Sequence, residues 1–155
     1  MSADVNTRVV RRWVDEVMSQ GRLETIDEVL AETVHFGSGA DIRATPDARR
    51  RVRAYITAYR TAFPDLTVEI DDLVNAEDAV TLCWTIQGTH LGHFSHPDVE
   101  SFGLAPTGRA ARWSGISLFR LRDGHIVETR SHGDIYRLLR QLGLLPAPGP
   151  VEPEA

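Results

Sequence analysis

The alternation of apolar and polar positions along this chain changes period once, and the change divides it. Between residues 7 and 20 apolar side chains recur every three to four positions: Val9, Val10, Trp13, Val14, Val17 and Met18, with Arg11, Arg12, Asp15 and Glu16 on the other side. That spacing predicts a helix with one buried face, and Gly21 is a fitting stop. A second, shorter helix is expected through Leu23, Ile26, Val29 and Leu30. The stretch VHFGSGAD, residues 34–41, reads as a glycine-rich loop. After it, Thr45 and Pro46 look like an N-cap and a first helical position. The third helix carries Val52, Tyr55, Ile56, Tyr59 and Phe63 on one face and Arg49, Arg50, Arg51 and Arg53 outside, and Pro64 ends it.

Beyond Pro64 the period falls from about 3.6 to about 2, the signature of strands. Leu66, Val68 and Ile70 alternate with polar residues, as do Val80, Leu82, Trp84 and Ile86. Residues 88–109 hold many glycines and prolines and read as a long loop. Residues 110–122 predict another strand, and Asp123-Gly124 is a strong two-residue hairpin turn into 125–132. A last helix runs from Ile135 to Leu142 and stops at Gly143. The proline-rich end gives an expected disordered tail, 147–155, after a single domain over 1–146. Helices followed by long strands give an α+β reading. A curved sheet covered on one face by helices would leave a cone-shaped hollow suited to a small molecule.

Composition narrows the function classes. A chain of 155 residues fits one domain with a real core. Its net charge of −5 argues against a nucleic-acid surface. The single cysteine, Cys83, excludes an internal disulfide and a cysteine-based zinc site. No run approaches the roughly 18 apolar residues of a membrane span, and the start MSADVNTRVV lacks the pattern of a signal peptide. The expected setting is the cytoplasm, with no nucleic-acid or membrane partner.

Candidate chemistry gathers in two places. His90, His93 and His96 are spaced by three, but they lie among loop formers, where spacing predicts no convergence, so no metal site is expected. His90 stands at a strand end, from which it could point into a cavity. Near the C-terminus, strand 125–132 places Ile126, Glu128, Arg130 and His132 on one face and His125, Val127, Thr129 and Ser131 on the other. Neither face is cleanly apolar. A row of Glu, Arg and His facing a hollow could hold an acid or base of shifted pKa; the alternative is a solvent-exposed or interface row of ion pairs. Asp134, directly before IYRLLRQL, is a good N-cap. Trp84 and Trp113 sit in mid-strand as core or cavity wall. No phosphate-cradling glycine loop and no Gly-x-Ser-x-Gly elbow is present.

Four stretches in order, AFPDLTVEIDDLV (62–74), GTHLGHF (88–94), LAPTGRAARWSGISLFRLRDGHIVE (104–128) and DIYRLLRQLG (134–143), together resemble the SnoaL-like polyketide cyclase family of the nuclear-transport-factor-2-like (NTF2-like) fold. The resemblance implies a cone of three N-terminal helices on a strongly curved mixed sheet, a short C-terminal helix, and a dimer through the sheet. It also implies cofactor-independent acid/base chemistry on a bulky, apolar, oxygenated small molecule: cyclisation, isomerisation or assistance to hydroxylation. In the family's aldol cyclases an aspartate and a histidine do the proton transfer. Their positions fall here at Ser131 and Ser117, and a serine hydroxyl cannot replace a carboxylate as base. The expected catalytic pair is therefore His132 with Asp134. His90, Arg130, His35, Ser117 and Ser131 would contact substrate oxygens, and Trp84 and Trp113 would wall the site. The competing expectation is a non-catalytic binding or scaffold protein of the same fold.

Overall fold

The computed structural model describes residues 3–38, 40–95, 103–146 and 149. The N-terminal helix α1 (Ala3–Arg12) continues without a break into a more widely wound π-helical stretch, Trp13–Ser19. Then follow α2 (Thr25–Val29), β1 (Leu30–Ser38), β2 (Asp41–Thr45), α3 (Ala48–Ala62), β3 (Thr67–Asn75), β4 (Ala79–Thr89), β5 (Phe94–Ser95), β6 (Gly103–Leu104), β7 (Ala110–Arg122), β8 (His125–Gly133) and α4 (Ile135–Gln141). Six strands form one sheet in the order β2-β1-β8-β7-β4-β3, while β5 and β6 pair separately. Only β1 and β8 run parallel, so the sheet is mixed. This is the expected α+β architecture.

The apolar faces read from the sequence meet on one side of the sheet. Val10, Val14 and Val17 of the first helix, Ile26 and Val29 of α2, and Val52 and Ile56 of α3 pack on Val80, Leu82, Phe119, Leu121 and Ile126. A second cluster joins the end of α3 to α4: Ala62, Phe63, Leu66, Ile86, Trp113, Leu138 and Leu142. No helix among the described residues is long and apolar enough to cross a membrane.

Local readings differ from the structure at four points. VHFGSGAD is not a loop but the β1–β2 hairpin, with Val34 paired to Thr45 and Ser38 to Asp41. Gly37 belongs there because a side chain would run into the Asp41 carbonyl, so the glycine marks a close backbone approach rather than an irregular segment. Leu30 is already extended, and the second helix stops at Val29. The third helix begins at Ala48, not at Pro46, after Asp47 in a left-handed conformation (φ 58°) that makes no side-chain cap. Within 88–109, β5 and β6 add a two-residue ladder. The expected tail 147–155 lies, apart from Gly149, outside the described residues.

The N-terminal helix is tied down by a few polar contacts to chain far away. Arg60 donates to the carbonyls of Met18 (3.1 Å), Ser19 (2.8 Å) and Leu66 (3.3 Å). Ser19 in turn completes β3, an edge strand of the sheet: its hydroxyl donates to the Val68 carbonyl at 3.3 Å and accepts from the Val68 amide at 2.9 Å. Arg12 and Thr25 both hold Glu16, and the Arg12 guanidinium is the main reason its carboxyl is lowered to about 2. Replacing Arg60 by Met keeps the stem but removes every donor to three backbone carbonyls. Arg60→Met is expected to lower the urea-unfolding free energy by about 2–3 kcal/mol with an unchanged m-value.

Candidate functional site

The pairing of β7 with β8 decides which side chains face the helices. One register holds from Gly115↔Gly133 through Ser117↔Ser131 to Arg120↔Glu128, and then Leu121 pairs with Ile126. Val127 is therefore an extra residue, a β-bulge that exchanges the two faces of the strand beyond it. Ile126 points into the core and is fully buried. Past the bulge, the inward positions are Thr129, Ser131 and Gly133. The row Glu128, Arg130 and His132, expected on the face with Ile126, is turned to the outer face of the sheet. That bulge is also why neither face of the strand reads as cleanly apolar.

Along β7 the inward positions run Trp113, Gly115, Ser117, Phe119. Trp113 is buried in the second cluster and Phe119 in the first, with a glycine and a serine between them. Trp84, opposite Gly115 on β4, is half-buried and packs against both clusters. Its indole lies over the cross-strand pair Gly115 and Gly133. A Cβ at Gly133 would stand 2.9 Å from the ring, and one at Gly115 would run into both the ring and the His132 carbonyl. Small inward residues on two adjacent strands thus make room for the half-buried Trp84 indole to lie against the sheet. Phe36 on β1, level with Thr129, is a further half-buried apolar side chain on this face.

The polar groups beside the indole form a chain of three. Trp84 Nε1 donates to Ser117 Oγ at 2.8 Å, and Ser117 Oγ lies 2.7 Å from Ser131 Oγ. Indole N–H can only donate, so Ser117 accepts from it. Ser117 is buried, and either hydroxyl of the Ser117–Ser131 pair can be the donor. When Ser117 donates, the Ser131 hydrogen is left over; Ser131 is solvent-exposed although it points inward.

The other expected site residues lie apart from this chain. His132 is exposed, and its Nε2 is 2.6 Å from Ser38 Oγ, not bonded to Asp134. Asp134 caps α4, accepting from the Arg137 amide at 2.9 Å. Arg130 donates to Glu128 at 2.8 Å. His35 pairs with Glu128 across β1–β8 and lines an outer groove of about 760 Å³ with Asp78 and Arg120. Trp113 is core, tilted against Phe63 at 5.5 Å. Cys83, paired with Ile116, is half-buried on the outer face.

His90 does point inward from the strand end and is fully buried. It lies six residues from Trp84 along β4, about 20 Å at the usual rise of a strand, so it does not converge with the serines. Its ring stacks on Phe63 at 5.2 Å, Nδ1 accepts from the Thr107 amide at 3.3 Å, and Nε2 has no hydrogen-bond partner among the described residues. Burial pushes its pKa below the ordinary 6.5; nearby His93 adds to this and the Gly92 backbone opposes it. His96 lies outside the described residues. No group of three or more His, Cys, Asp or Glu among the described residues is arranged to hold a metal. The sequence reading did not single out Ser38 or the Gly115–Gly133 floor. Two glycines inside otherwise regular strands were the available signal for the latter.

The family description SnoaL-like polyketide cyclase matches residues 8–142. The chain belongs to this family. Among solved structures, a SnoaL-like polyketide cyclase candidate from Jannaschia sp. CCS1 superposes with a TM-score of 0.75 at 20% identity, over 92% of this chain and 94% of that one. The candidate hydroxylase AclR from Streptomyces galilaeus gives 0.77 at 24% identity, over 97% and 88%. IdmH from Streptomyces antibioticus, a candidate polyketide cyclase, gives 0.69 at 26% identity, over 89% and 98%. These neighbours share the NTF2-like fold. No curated protein matches the chain in sequence. The positions at which the resemblance places the cyclase histidine and aspartate, Ser117 and Ser131, are direct cross-strand partners on the inner face.

Two measurements separate structural from chemical roles here. Asp134→Ala should cost about 1 kcal/mol in urea unfolding, the usual worth of an N-cap, and leave ligand affinity unchanged. For His90 the folded pKa is depressed, so the imidazole is favoured neutral in the fold. Its contribution is complete above pH 6.5 and is lost as pH falls below that value toward the folded pKa. Urea unfolding of the wild type should weaken over that range, and His90→Gln should remove this part of the pH dependence.

Proposed function

We propose that the recess between the sheet and the helices binds an apolar, oxygenated small molecule of the polyketide type, and that the chain is a cofactor-independent tailoring enzyme acting on it in the cytoplasm. The observation that carries this reading is the chain Trp84–Ser117–Ser131. It ends at the exposed Ser131 hydroxyl, which is free to donate to a ligand when Ser117 donates to it. A donor already polarised by two hydrogen bonds, with no carboxylate beside it, suits a carbonyl or phenolate oxygen, and it strengthens as negative charge develops on that oxygen. Trp84 supplies a flat apolar wall for a planar ring system. The reaction class that fits is enolisation of a ketone, leading to cyclisation or isomerisation, with His132 as the titratable group nearest Ser131 in the chain. Asp134 keeps only its capping role, and His90, His35, Arg130 and Trp113 are not assigned to the ligand.

A second reading, a non-catalytic binding protein, is favoured by the serine where an aldol cyclase would carry its base. Two copies are proposed to pair through the outer sheet face, where Val74 and Ile116 are exposed hydrophobics; sedimentation should then give a dimer that Ile116→Arg weakens.

Binding of 2-tetralone, followed by quenching of tryptophan fluorescence, tests the site. Ser131→Ala should weaken it about 5- to 10-fold, the worth of one hydrogen bond, and Trp84→Ala should weaken it further. Unchanged affinity in both variants would remove the recess as the binding site.

A further inference from the structure

The ladder between β1 and β8 ends at Gly37↔Arg130. Beyond it the chains separate: β1 turns back on itself at the Ser38↔Asp41 pair, while β8 runs on to Gly133. The gap is closed by one contact between residues 94 apart in sequence, Ser38 Oγ to His132 Nε2 at 2.6 Å. Both residues are exposed, and His132 is the direct chain neighbour of Ser131. Ser38 is two residues beyond Phe36 and shares its strand parity, which is that of the inner face. The imidazole therefore belongs to the outer face, while the hydroxyl it holds comes from a position on the inner one.

We propose that Ser38 and His132 form a catalytic dyad in which the serine hydroxyl relays a proton between a molecule at Ser131 and the imidazole. The proposal rests on the reading of the recess given above and adds the base which that recess lacks. Neutral His132 carries its hydrogen on Nδ1 and accepts the Ser38 O–H at Nε2. A hydrogen on the carbon next to the substrate carbonyl passes to Ser38 Oγ as the serine's own hydrogen passes to Nε2. The C–H electron pair becomes the enolate double bond, and the carbonyl pair moves onto oxygen, where the Ser131 O–H receives it. The imidazolium then returns its proton through Ser38. It goes to a different carbon in an isomerisation, or to the alkoxide formed when the enolate attacks a second carbonyl in a cyclisation. A serine alone has no base to take up its proton; this one has a base at hydrogen-bond distance.

Two experiments on the full chain test the dyad. The first needs no substrate. Phenylmethanesulfonyl fluoride should sulfonylate Ser38, with fluoride leaving and the serine proton passing to His132. His132→Gln should slow the labelling at least ~10-fold. No labelling of Ser38, or equal labelling in His132→Gln, overturns the dyad. The second follows exchange of the α-hydrogens of 2-tetralone in D2O by NMR. Ser38→Ala should slow exchange by about 10- to 100-fold without changing tetralone affinity, and adding His132→Ala should cost nothing further, as for residues that act as one unit. Tetralone bound but exchanged no faster than in buffer, or exchange indifferent to Ser38→Ala, overturns the relay. Loss of tetralone binding in the wild type counts against the recess, and the sulfonylation result then decides the dyad by itself.

Discussion

The extra residue at Val127 governs more of this molecule than any single contact does. A strand has only two faces, so one inserted position sends every later side chain to the opposite side. Before the bulge, Ile126 fills the core against Leu121. After it, three small side chains line the inner face and three large charged or titratable ones leave it. The Trp84 indole can lie against the sheet because Gly115 and Gly133 leave it room. Without the bulge, Glu128, Arg130 and His132 would need burial against the helices, where unpaired charge is costly.

The inner face here has a defined floor. Gly115 and Gly133 sit side by side on neighbouring strands, and the Trp84 indole lies across both. The ring edge, fixed in that plane, puts its N–H on Ser117, and Ser117 is fixed against Ser131. Backbone close approach, ring orientation and hydroxyl direction are thus one sequence of constraints. Its end point is a neutral donor rather than a charged base.

The parts of the fold carried by local pattern were legible beforehand. The three-to-four-residue period from Val9 to Met18, the Asp123-Gly124 turn and the cap at Asp134 all depend on near neighbours, and all three are present. The β1–β2 hairpin was misread because Gly37 resembles loop composition, whereas it serves a tight approach to Asp41. The bulge was hidden for a different reason: an inserted residue has no composition of its own, and it shows only as a strand with two mixed faces. The site was less legible still. Ser117 and Ser131 were marked by resemblance, but their bond to Trp84 depends on three strands in register. The contact of Ser38 with His132 joins segments 94 residues apart, and no local rule reaches that far.

The outermost strand on the β4 side has a consequence for solubility. β3 offers one row of backbone groups to solvent, and such an edge can recruit a strand from another molecule. Ser19 occupies the backbone groups of Val68, but most of the strand has no such cover. Its exposed side chains include Glu69, Asp71 and Asp72. Like charges along an exposed edge oppose the approach of an identical edge, so the carboxylates of β3 guard it against edge-to-edge pairing with another copy.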